Sequence, residues 1–202
     1  MPGAIPLIRG FALLPTLRWL AAEGASVERA LAEVDLSLSP IIDPFRPIPL
    51  VHAAALLRNV AREHGPDFPC RVLSRSGSLE IAMLGKVALG ARTPAEALGR
   101  IVTALPYYCS HEQVSFERKP RQYVVREFFA HRFDPETRHL LLQYAAAMID
   151  RILSMAGDPP PRIVRIEIPP HPTHGVGTFV AGSATAWPRR VLAGSRLSLT
   201  TV

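Results

Sequence analysis

The chain is poor in cysteine and lysine, and each shortage excludes something. Its 202 residues hold two cysteines, Cys70 and Cys109. Two thiols outside any C-x-x-C spacing make no disulfide framework, and they read as buried or idle thiols of a reducing compartment. Lysine occurs only as Lys86 and Lys119, so nearly all of the positive charge, 23 Lys+Arg against 17 Asp+Glu, is arginine. The isoelectric point near 10.0 permits nucleic-acid contact. The arginines are scattered, however, and their densest groups, Arg118-Lys119-Pro120-Arg121 and Arg189-Arg190, sit beside turn signals. No apolar run reaches the roughly 18 residues that a spanning helix needs, which excludes a transmembrane helix. The apolar first 20 residues lack the basic start and small-residue cleavage pattern of a signal peptide.

What is present is enough for one core. Hydrophobic residues make up 48% and charged residues 20%, the balance of a folded single domain. The first 70 residues read as helical. Leu13, Leu14, Leu17, Trp19 and Leu20 recur at a period near 3.6 and stop at Gly24. Ser26 caps a helix over 27–34, with Arg29 and Glu33 one turn apart. Three prolines within 43–50 forbid helix and make a rigid extended connector. A third helix runs over 50–64, its Leu50, Ala53, Ala54, Leu57 and Ala61 on one face, and stops at Gly65-Pro66. Thr93-Pro94-Ala95-Glu96 is a helix start with a capping box, after an apolar segment over 78–91.

The period then switches to two. Residues 114–119 and 123–129 alternate around a short polar turn and predict a hairpin. Asp134-Pro135 restarts helix with the longest run of the chain, to about residue 156, ended by Gly157. A proline link over 158–161, a strand over 163–168, a histidine-rich loop and weaker strands over 190–193 and 196–201 complete the pattern. The fold class is α+β, with a helical amino-terminal part (about 10–70) followed over 71–202 by an antiparallel sheet packed against the long helix. The chain ends inside the last strand pattern, which reads as a piece of a longer protein.

The chemistry-bearing residues are few. His171-Pro172-Thr173-His174 is an H-x-x-H in a loop with no further ligand at metal spacing, and reads as solvated histidines rather than a metal site. Cys109-Ser110-His111 places thiol and imidazole close together, but adjacent strand residues point apart, so a small Cys/His hydrolase is the weakest reading. Gly175-Val176-Gly177 with Gly182 lacks phosphate-loop spacing. Glu117 and Glu127 stand on opposite arms of the hairpin, each beside an arginine, and read as solvated cross-strand pairs. No catalytic residue, metal ligand or cofactor is assigned. Tyr107, Tyr108, Phe128, Tyr144 and Met148 are the aromatic and thioether groups from which a small-molecule cavity is built, and equally those from which a core is built. Arg126 in such a cleft would suit a carboxylate or sugar-acid ligand.

Several stretches, in order and spacing, resemble the amino-terminal effector-sensing (arabinose-binding-like) domain of AraC-type bacterial transcription regulators. They are Ile48-Pro49-Leu50 after Asp43-Pro44; Ala61-Arg62-Glu63-His64-Gly65-Pro66-Asp67-Phe68-Pro69; Ser78-Leu79 up to Gly85 followed by Thr93-Pro94-Ala95-Glu96-Ala97-Leu98; and the strand patterns at 163–168 and 191–199. The likeness covers about residues 10–202. Pro69 replaces a glycine of the family pattern, and the histidine-rich stretch 171–182 replaces a tyrosine-rich one. The resemblance implies a cytoplasmic, non-catalytic sensor that binds a small-molecule effector. It also implies a homodimer, and DNA binding only through a carboxy-terminal helix-turn-helix domain that this sequence does not contain. A dimerisation module without ligand is the alternative.

Overall fold

The computed structural model describes residues 5–74, 82–120, 122–156, 163–179, 190–194 and 197–201. The predicted Gly157 stop, the proline link over 158–161, Gly182 and Arg189 lie outside the described residues.

Two layers organise the chain. A short strand β1 (Leu7–Arg9) pairs antiparallel with β2 (Pro47–Pro49), the extended end of the proline connector. Between them lie α1 (Leu14–Ala22), α2 (Val27–Ala32) and α3 (Ser39–Ile42). Helix α4 (Leu50–His64) follows β2 directly and ends where Gly65 takes φ +105, a conformation costly for any residue with a Cβ. Helix α5 (Phe68–Ser74) was not legible in the sequence, because its apolar run is too short to show a period. Helix α6 (Ala82–Ala88) lies inside the apolar 78–91 segment. Helix α7 (Pro94–Ala104) starts as its sequence predicts: the Thr93 hydroxyl accepts from the Glu96 N–H at 3.1 Å. Glu96 reaches back one residue further than a strict capping box, accepting from the Arg92 N–H at 2.9 Å.

The hairpin is β3 (Glu112–Lys119) and β4 (Gln122–Phe129), in register from Glu112↔Phe129 to Lys119↔Gln122. Helix α8 (Pro135–Leu153) is capped by Asp134, whose carboxylate accepts from the Thr137 N–H at 3.0 Å. Strands β5 (Ile163–Ile168), β6 (Arg190–Ala193) and β7 (Leu197–Thr201) complete a five-stranded sheet in the order β3-β4-β7-β5-β6. The expectation of a wholly antiparallel sheet needs one correction: β5 and β6 are parallel. The Gly194 N–H bonds the Ile168 carbonyl at 2.9 Å and extends that pairing. Strand β7 lies between β4 and β5, antiparallel to both.

One large core joins the layers. Phe68, Leu73, Leu98, Leu140, Leu142, Leu153, Ile166, Ile168 and Leu199 are essentially without solvent contact. Trp19 stacks edge-on against Phe68 with ring centres 4.9 Å apart. At the rim of the seam between α4 and α8, Arg62 bonds Glu136, and Arg58 reaches Asp134 and Thr137. No helix among the described residues is long and apolar enough to cross a membrane.

Candidate functional site

Alternation along β4 decides what faces the core. Val125 is buried in it and Phe129 packs against it, so Glu127, which lies between them at the same parity, also points inward. Glu127 is 2% exposed, and its carboxyl meets that of Glu112, with which it hydrogen-bonds when one of the two is protonated; no other donor among the described residues reaches its oxygens. This corrects the reading of Glu117 and Glu127 as a solvated pair. Glu117 is exposed and bonds Arg126 at 3.2 Å, whereas Glu127 is sealed in. The register pairs Glu112 with Phe129, which puts Glu112 on the same face, one inward position from Glu127.

The segment leading into β3 completes the group. The 3-10 turn Leu105–Tyr107 that ends α7 delivers Cys109 beside β1. The Arg9 N–H bonds the Tyr108 carbonyl at 3.0 Å, the Ser110 N–H bonds the Leu7 carbonyl at 3.1 Å, and the Leu7 N–H bonds the Ser110 hydroxyl at 2.9 Å. So clamped, the segment turns Cys109 and His111 inward, at 7% and 3% exposure. Donor atoms of Cys109, His111 and Glu112 all lie within 4.8 Å of one another. The Cys109 sulfur is 3.7 Å from Glu112 Oε2. His111 Nδ1 has no partner, and its ring lies 5.7 Å from that of Phe129.

Burial sets the protonation of the cluster. It pushes the Cys109 thiol and the Glu112 carboxyl up, and it raises Glu127 well above the usual carboxylate range, with the charge of Glu112 adding to the effect. Burial also lowers His111 to about 4, so the imidazole is neutral. No arginine or lysine among the described residues pulls either glutamate back down. A protonated thiol beside a neutral imidazole is the opposite of an activated nucleophile. The arrangement is suited to binding: the Cys109 thiol donates to Glu112 and the two carboxyls meet each other, but the buried His111 Nδ1 has no partner and the carboxyls no cation.

The six residues proposed from sequence do not converge. Tyr107 is 75% exposed and stands on a broad groove of about 490 Å³ with Val87, Gly99 and Arg100. Tyr108 packs edge-on against Phe11 at 5.2 Å. Arg126 and Phe128 share a depression of about 230 Å³ on the outer side of the hairpin, where Phe128 is 59% exposed. The Tyr144 hydroxyl donates to the Ala12 carbonyl at 3.0 Å, inside the core. Met148 fills space between two apolar clusters. The signal that would have found the buried cluster was strand parity: with Val125 and Phe129 inward, Glu127 has to be inward too.

The H-x-x-H reading also changes. His171 is buried, not solvated, and its Nδ1 accepts from the N–H groups of Thr173 and His174 at 3.2 and 3.3 Å, which folds the loop. His139 on α8 is fully buried, 2.7 Å from the Pro169 carbonyl and 2.8 Å from the Thr178 hydroxyl, and burial lowers it to about 4. Both ring nitrogens of His139 are occupied, so this group locks the loop to the helix.

Comparison with known proteins adds three findings. The family model described as the arabinose-binding domain of AraC transcription regulators, N-terminal, matches residues 24–178. Among solved structures, the fold is similar to that of the transcriptional regulator CdpR from Pseudomonas aeruginosa, at TM-score 0.61 and 14% identity, covering 94% of this chain and 54% of that one. The chain thus spans about half the length of that regulator, and at this identity the likeness is one of fold. No curated protein matches the sequence.

Proposed function

The chain belongs to the family of amino-terminal arabinose-binding domains of AraC transcription regulators, and from that premise we propose that it is a cytoplasmic, non-catalytic effector sensor whose binding site is the buried corner between β1, β3 and β4. The observation that carries this reading is Glu127, a sealed carboxyl group met only by a second carboxyl, that of Glu112, with no cation beside it. An orphaned buried polar group costs about 1–3 kcal/mol, and a ligand that satisfies it recovers that cost on binding. The acidic, acceptor-rich corner favours an effector that is positively charged or rich in hydrogen-bond donors. Arg126, on which a carboxylate effector would rest, is already paired with Glu117.

The corner is placed to transmit a signal. It joins the amino-terminal strand to the hairpin through the bonds of Leu7 and Arg9 to residues 108–110. An effector with higher affinity for one arrangement of that joint shifts the population toward it. In the parent regulator the shift reaches a carboxy-terminal DNA-binding domain, and a homodimer would present two such sensors.

Thermal unfolding against a panel of amines, amino acids, sugars and carboxylates tests the reading. An effector at 100 times its dissociation constant stabilises the fold by about 2.7 kcal/mol. Glu127→Gln should remove the response. A flat panel with a midpoint that rises with protein concentration would replace sensing by dimerisation alone, for which exposed Tyr107 and Phe128 supply apolar surface.

A further inference from the structure

We propose that Cys109, His111, Glu112 and Glu127 form a binding site for a divalent transition-metal ion of the zinc class. The claim that the ion is the effector rests on the sensing reading above; the claim that it binds does not.

The donor set and its spacing carry the inference. Zinc-class ions take thiolate, imidazole and carboxylate in tetrahedral array, with bonds of about 2.3 Å to sulfur and about 2.1 Å to oxygen. At a tetrahedral angle those lengths separate a sulfur and an oxygen ligand by about 3.6 Å. The Cys109 sulfur and Glu112 Oε2 are 3.7 Å apart. The imidazole of His111 brings a third donor within 4.8 Å of both. Its Nδ1 is buried without a partner, while the Leu7 carbonyl interacts with the ring, as an orienting group does for a metal-bound histidine. Glu127, inward on the neighbouring strand, stands outside this three-residue group but meets the Glu112 carboxyl, which makes it the candidate for the fourth position.

The alternatives fit less well. A hydrogen-bonded core network would satisfy its own members; here the Cys109 thiol donates to Glu112 and Glu112 meets Glu127, but the buried His111 Nδ1 is left without a partner. A salt-bridged core would hold an arginine, and none among the described residues acts on either carboxyl. The group lies closest to solvent at Glu112, the one residue of the four that is not fully buried, although its carboxyl faces inward. On binding, the thiol proton and the proton held by the carboxyl pair pass to water, and the metal takes up a thiolate and carboxylates as ligands.

The test is a titration of the purified, chelator-stripped chain with Co²⁺, displaced by Zn²⁺. The expected result is one ion per chain with a thiolate-to-cobalt charge-transfer band. Cys109→Ser should abolish the band. Glu112→Gln, at a partly exposed position that tolerates the change, should weaken binding by more than about tenfold, the loss that even an outer-shell partner brings. His174→Ala should leave both unchanged. Absence of a stoichiometric ion, a band that survives Cys109→Ser, or binding lost in His174→Ala and kept in Glu112→Gln would each overturn the proposal. A panel hit abolished by Glu127→Gln in a chain that takes up no metal would overturn it and leave the sensing reading standing. Metal uptake at these residues with a flat organic panel would support it and make the ion the effector.

Discussion

Glu136 and Glu127 are the same residue type on neighbouring elements, and the fold treats them in opposite ways. Glu136 stands in the first turn of α8, where Arg62 bonds it and holds its carboxyl below the usual range. That turn is also the positive end of the helix dipole, so helix and partner favour the same charge. Glu127 stands mid-strand, faces the core and has no cation to meet it. The seam between α4 and α8 is thus built for stability, with an apolar centre, a paired rim and an occupied cap. The corner between β1, β3 and β4 gives up stability, which is where function is expected when local rules are broken.

Acidification should have the largest effect, and each region holds one histidine that answers to it, His139 beside the seam and His111 in the corner. His139, on the seam side, has its folded value lowered to about 4 from an ordinary 6.5. Its contribution is complete above pH 6.5 and is lost as pH falls toward 4, because the unfolded chain then binds the proton that the buried ring refuses. The loss is on the order of 3 kcal/mol. Urea unfolding between pH 7 and 4.5 should show this slope, and His139→Gln should make it shallower, the remainder belonging to His111; an unchanged slope would break the assignment.

Glu127→Met should move stability the other way, raising it by about 1–3 kcal/mol because a buried carboxyl held only by another carboxyl is replaced by an apolar group of similar size. Glu127 holds its proton more tightly folded than unfolded, so its penalty grows as pH rises through its raised range. The gain in the Met variant is therefore largest at neutral pH and shrinks toward pH 4.5. Unfolding midpoints of the two proteins over that range measure it, and a destabilised Met variant at neutral pH would show that Glu127 is satisfied after all. The smallest effect belongs to the seam. Asp134→Ala removes the α8 cap and should cost ~1 kcal/mol, read as a lowered unfolding midpoint with little pH dependence above pH 5. A loss as large as that at His139 would mean that the cap also governs the packing of α8.

Helix starts were legible because their causes are local. Ser26, Thr93 and Asp134 each accept a backbone N–H from three residues on, as their spacing predicts. The hairpin was legible from its period of two, and the long helix from its period of 3.6. Helix α5 and the β1–β2 pair were not legible, being too short for any period to register. The candidate site was legible only in part. Cys109 and His111 were noticed as neighbours, but Glu112 and Glu127 were not joined to them.

The amino-acid sequence by itself determined the helix caps, the breaks at glycine and proline, the hairpin and the α+β class, because each depends on bonds and torsions within a few residues. Only the tertiary structure decided that β7 enters between β4 and β5, that β6 runs parallel to β5, and that β1 clamps the segment before β3. These are pairings between distant parts of the chain. They decide which strand face is sealed from water, and so turn four ordinary side chains into a buried donor set.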